Sequence, residues 1–124
     1  MAIWLRNQQD PKTRIRINTR YLRKVGAGTL AAVAPKGATC SLILISDARM
    51  VALNRAFRGI ASPTDVLAFP AGDDPAGPPR PEILYLGDLA ISLETARRQA
   101  ARRGHPLERE AALLVIHGIL HLVG

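Results

Sequence analysis

Ala111-Ala112-Leu113-Leu114-Val115-Ile116-His117-Gly118-Ile119-Leu120-His121-Leu122-Val123-Gly124 is the longest apolar stretch of this 124-residue chain. Its apolar residues cover every side of a helix, and a helix apolar all round is a buried one. Pro106 suits the first helical turn, so the predicted helix runs over about 107–123. A membrane span needs about 20 apolar residues. This stretch is shorter and carries two histidines, so it reads as the buried helix of a folded domain. His117 and His121, four apart, stack on one helical face. Two buried imidazoles each need a partner, because an unsatisfied buried polar group costs about 1–3 kcal/mol. Separate core histidines bonded to carbonyls would meet that need. A pair at i, i+4 in an apolar helix points rather to one shared zinc ion.

Working back from this helix, His105 precedes Pro106 and is expected to cap it. Gly104 stops an earlier helix that Ser92 caps, with Glu94 in its first turn and Arg97, Arg98, Arg102 and Arg103 towards its negative end. Segments 64–69 and 83–91 read as strands around a proline-rich surface loop at 70–79. Asp47 is expected to cap a helix in which Met50, Leu53 and Phe57 share a face and which Gly59 ends. Segment 39–45 is nearly continuous apolar sequence and reads as a central strand. Segment 19–33 reads as a helix weakened by Gly26 and Gly28. Ile15 and Ile17 alternate with Arg14, Arg16 and Asn18 as a half-buried strand does. The order β-α-β-α-β-β-α-α predicts an α+β domain, 1–124. Its small mixed sheet of about four strands packs with helices, and the C-terminal helix is buried.

Seventeen basic against ten acidic residues leave a net charge of +7, a balance that favours polyanionic partners. Before position 40, Arg6, Lys12, Arg14, Arg16, Arg20, Arg23, Lys24 and Lys36 face a single acid, Asp10. They read either as a solvated face or as a groove tracking phosphates. Five aromatics, Trp4, Tyr21, Phe57, Phe69 and Tyr85, leave little for base stacking. One cysteine, Cys40, excludes an internal disulfide and reads as a small buried strand residue. With no leader-like start and no membrane span, a cytoplasmic protein without membrane contact is expected.

His117-x-x-x-His121-x-x-Gly124 is the opening of H-x-x-x-H-x-x-G-x-x-H, in which a glycine turn returns a third histidine. That histidine would stand three residues past Gly124, so the chain is expected to be C-terminally incomplete. Gly118 stands where helical zinc peptidases place a glutamate base, which removes that mechanism. Gly118 is expected instead to let another backbone segment or a substrate come close.

The segment His117 to Gly124 strongly resembles the signature of the YbeY family of rRNA-maturation endoribonucleases. Leu53-Asn54-Arg55-Ala56-Phe57-Arg58-Gly59, continuing into Pro63-Thr64-Asp65-Val66-Leu67-Ala68-Phe69-Pro70, is similar to the family's central block. Leu86-Gly87-Asp88-Leu89-Ala90-Ile91-Ser92 is similar to its next one. The resemblance spans roughly positions 40 to 124. It implies a zinc-dependent, single-strand-specific endoribonuclease that matures the 3′ end of small-subunit (16S) rRNA and serves ribosome quality control. Single-stranded RNA and the small ribosomal subunit would be its partners. His117 and His121 match two of three ligands to one zinc ion, and Arg58 matches an arginine placed near the active site. Asp65 and Asp88 read as structural, one fixing the start of a strand and the other marking a bulge beside Gly87. Two rivals stand beside this reading: a zinc metallopeptidase-like hydrolase, and a non-catalytic ribosome assembly factor.

Overall fold

A computed structural model describes residues 2–71 and 84–124. Its centre is the apolar strand β2, Ala38–Ile45, flanked in the sheet order β1-β2-β4-β3 by β1 (Ile3–Asn7), β4 (Leu84–Ser92) and β3 (Val66–Pro70). β1, β2 and β4 run parallel, and β3 pairs antiparallel with β4 as an edge strand. Strands buried on both faces lose polar alternation. Here Cys40, Leu42 and Leu44 of β2 join the core on one face, while Ile45 joins a smaller core on the other.

The first face carries α1 (Thr19–Val33), α3 (Leu93–Arg103) and α4 (Leu107–Val123). The second face carries α2 (Asp47–Arg58), whose Met50 is buried against Ile45, Leu67 and Ala90. The fold is thus α+β, with four helices and a four-strand mixed sheet among the described residues, in the expected element order. Gly59 and Gly104 close α2 and α3 in the left-handed conformation, and Ser92 caps α3 by accepting from Thr95 N. Gly87, at φ 137°, sits in a bulge of β4, where an added Cβ would lie 2.2 Å from the Phe69 carbonyl oxygen. The proline-rich segment beyond Ala71, and Ile83, lie outside the described residues.

Four expectations are corrected. The first strand is Ile3–Asn7, and residues 15–17 form none. Ile15 is buried as its alternation suggests, but its partner is one side chain. The Ile15 N–H donates to Gln9 Oε1 at 2.9 Å, and its carbonyl accepts from Gln9 Nε2 at 3.0 Å. A buried carboxamide satisfies the backbone as a neighbouring strand would. Secondly, Ser46 is the N-cap residue of α2, and Asp47 lies inside the first turn with its carboxylate turned to α3. Thirdly, Pro106 caps α4 without a side-chain bond, so His105 is not its cap. Lastly, α4 is not buried all round: Ala111, Ala112, Leu114, Val115, Gly118 and Ile119 form its buried stripe, while Leu113, His117, Leu120 and His121 are exposed.

Candidate active site

The exposed stripe of α4 forms one wall of a cleft of about 580 Å³. Helical spacing sets Leu113, His117 and His121 along this wall, so the two imidazoles face open space and not the core. The expectation of two buried histidines fails at this point, though their shared face holds. Gly118 lies between them on the buried stripe. A Cβ there would lie 2.7 Å from Leu89 Cδ2, so the neighbour that this glycine admits is a core side chain of β4, neither a backbone segment nor a substrate.

The start of β3, from Thr64 to Ala68, also lines the cleft. Asp65 holds that start in place: its carboxylate accepts from Val66 N at 2.7 Å and from Gln99 Nε2 at 3.2 Å. Its own carbonyl accepts from Ser92 N at 3.0 Å. Arg58 reaches the cleft from the C-terminus of α2, on the other face of the sheet. The turn after it is anchored by Asn54, whose Nδ2 donates to the Ser62 carbonyl at 2.9 Å. Arg58, His117 and His121 therefore border one cleft, although some sixty positions separate the arginine from the histidines.

Asp88 lies elsewhere. It accepts from the Tyr85 hydroxyl, which also bonds Ser41 Oγ. Burial, followed by that bond to Asp88, pushes the Tyr85 hydroxyl above its ordinary pKa. Cys40 is fully buried in β2, and burial with the nearby Asp88 charge pushes its thiol up to about 11. A thiol so held is an inert core group.

Glu110 is the cleft residue that sequence reasoning missed. It is 0% exposed, and its Oε2 accepts from Arg103 Nη1 at 2.8 Å. His105 Nε2 lies 2.6 Å from Oε1. The available signal was spacing: Glu110 precedes His117 by seven positions, two turns along the same face.

Two imidazoles one turn apart on an open wall suit zinc as two of its ligands. Among the described residues, no group of three His, Cys, Asp or Glu side chains is placed to hold a metal.

A histidine pair and an arginine that border one cleft of an α+β fold define a class of small α+β domains with a polar, basic-rimmed cleft. Within that class, the family profile of endoribonuclease YbeY matches residues 6–124. The chain is 40% identical to the endoribonuclease YbeY of Symbiobacterium thermophilum, over all of this chain and 83% of that protein. It is 51% identical to that of Pelotomaculum thermopropionicum, over 70% of this chain and 57% of the relative. The match to a Roseiflexus relative, at 49% identity, spans 53% of that protein, so against these two the chain covers little more than half their length. The solution structure of TM1509 from Thermotoga maritima superimposes with a TM-score of 0.58 at 26% identity, over 98% of this chain and 72% of that one. The chain belongs to the YbeY endoribonuclease family.

Proposed function

We propose that this chain forms the substrate cleft of a zinc-dependent, single-strand-specific endoribonuclease that matures the 3′ end of small-subunit rRNA in the cytoplasm. The observation that carries this reading is the juxtaposition of His117 and His121 on one wall with Arg58 bordering the same cleft. The two imidazoles would hold zinc, which when bound activates water as a nucleophile at neutral pH. Arg58 binds the scissile phosphate and offsets the charge that grows on it, with a planar fork suited to two parallel bonds. Gly118 seats α4 against Leu89 and thereby sets the cleft wall on which the histidines stand.

One feature favours a second reading. β3 is an edge strand along the cleft, and an extended peptide binds such an edge by adding a strand. Against it, position 118 is a glycine packed on the sheet, so no general-base carboxylate follows the first histidine. The test incubates the chain, and a form extended past Gly124 to place a histidine three residues on, with zinc. The substrates are a short single-stranded RNA, its duplex and an unstructured peptide. Cleavage of the single strand alone is expected from the extended form. Peptide hydrolysis would favour the second reading, and ribosome association without any cleavage would favour an assembly factor.

A further inference from the structure

Arg103 belongs to the last turn of α3, where a cation at a helix C-terminus needs no further explanation. Its surroundings go beyond that. The carboxylate it bonds, Glu110, is completely buried, and the second oxygen of that carboxylate is occupied by His105, whose side chain is 13% exposed. Both oxygens of Glu110 therefore have cationic or N–H partners, which a buried carboxylate requires. Arg103 itself is open: its side chain is 56% exposed and borders the cleft together with Arg58, His117 and His121. One edge of the guanidinium is pinned by Nη1, and a guanidinium carries further N–H donors that one carboxylate oxygen does not use. Arg97 and Arg102, exposed on the same helix, border no part of this cleft.

We infer that Arg103 is a second phosphate-binding residue of the cleft, a substrate-positioning group held in a fixed orientation by buried Glu110. The inference rests on the single-stranded RNA reading above. Arg58 and Arg103 come from different elements, α2 and α3, so together they fix the course of a phosphodiester backbone past the histidine wall. Among the described residues, the carboxylate that borders the cleft on the β3 side, Asp65, is bonded to Val66 N and Gln99 rather than to either arginine. Holding Arg103 in advance removes part of the ordering cost of binding.

The experiment titrates a short single-stranded oligoribonucleotide, in EDTA so that no metal-activated water can cleave it, against the full chain by fluorescence anisotropy at several salt concentrations. For Arg103→Gln, affinity is expected to fall by about tenfold and the log–log salt slope by about 0.7, one phosphate contact on a single strand. Arg102→Gln is expected to match the parent in both. A parent-like slope and affinity for Arg103→Gln would overturn the inference, since a purely structural partner of Glu110 changes the melting temperature and not the salt slope. Should that variant unfold, Arg103→Lys keeps a cation beside Glu110. It is expected to retain the slope but bind several-fold more weakly, because an ammonium lacks the planar fork. Binding equal to the parent would overturn the inference equally. Failure of the parent to bind the single strand would instead overturn the functional reading on which it rests.

Discussion

At the scale of single residues, backbone pattern and side-chain partnership were unequally legible. Alternation marks Ile15 as buried, yet no periodicity announces that Gln9, six residues away, serves as its hydrogen-bonding neighbour. Glu110 is hidden from a sequence pattern for a related reason: its meaning depends on Arg103 and His105, which only the turn between α3 and α4 brings to it. Arg58 was legible through the family block alone, since by composition it is one more basic residue at a helix end. Its role is open to direct test. Arg58→Ala is expected to leave zinc content unchanged, because a guanidinium is not a metal ligand. It is expected to slow single-turnover cleavage of single-stranded RNA by about 10²-fold, the usual effect of losing one transition-state donor. Arg58→Lys restores part of the rate. Near-parental cleavage by the alanine variant would remove Arg58 from the reaction.

At the scale of elements, α4 shows where an apolar count misleads. Leu113, Leu120 and Val123 extend the hydrophobic pattern around the helix, but all three are exposed, and Leu113 borders the cleft with the histidines. Composition cannot separate a core-facing leucine from one lining a cleft, because both are apolar and both sit at helical spacing. Gly118 marks the packed side. In Gly118→Ala the new methyl meets Leu89, itself 0% exposed, at 2.7 Å. Overpacking of this kind costs about 1–3 kcal/mol, against a helix-propensity gain of up to about 1 kcal/mol. A net loss of about 1–2 kcal/mol is expected in denaturant melts, partly reversed by adding Leu89→Val. A stabilised Gly118→Ala would show that α4 does not need this close approach.

The joint between α2 and α3 is a second element-scale feature. Asp47 accepts from Ser92 Oγ at 2.5 Å, Thr95 Oγ1 at 2.7 Å and Arg98 Nη2 at 2.8 Å. Burial alone would raise its pKa, but the bonds from Ser92, Thr95 and Arg98 outweigh burial and hold the carboxyl below its ordinary value. A folded-state pKa depressed below the unfolded one means stability that is present above the unfolded pKa of about 3.9 and lost as pH falls through the folded value. Asp47→Asn is therefore expected to melt lower than the parent at neutral pH, by of the order of 1 kcal/mol. The difference should shrink once pH falls below about 4. A gap between the two melting curves that stays constant down to low pH would show that the charge on Asp47 does not lock the helices.

At the scale of the whole molecule, the net charge of +7 and the cleft are separate features. Arg6, Lys12, Arg14, Arg16, Arg20, Arg23, Lys24 and Lys36 are all exposed, and none borders the cleft, whose cations come from α2 and α3. The amount of charge was legible in the sequence, but its placement was not, because placement follows from β1 lying at the opposite edge of the sheet from β3 and from α1 packing on α4 with its basic residues turned to solvent. Charges away from a site act on a ligand through their field, which salt screens over about 10 Å at 0.1 M. Charges that touch phosphates release counterions and set the salt slope of the equilibrium constant. The triple variant Lys12→Gln, Arg14→Gln, Arg16→Gln separates the two effects. It is expected to slow association with single-stranded RNA several-fold at low ionic strength, to approach the parent rate near physiological salt, and to leave single-turnover cleavage unchanged. Stopped-flow association at a series of salt concentrations reads the first two, and rapid quench reads the third. A loss of equilibrium slope of about 0.7 for each cation removed would mean that these side chains grip the backbone directly. RNA would then follow a path over the N-terminal face as well as through the cleft.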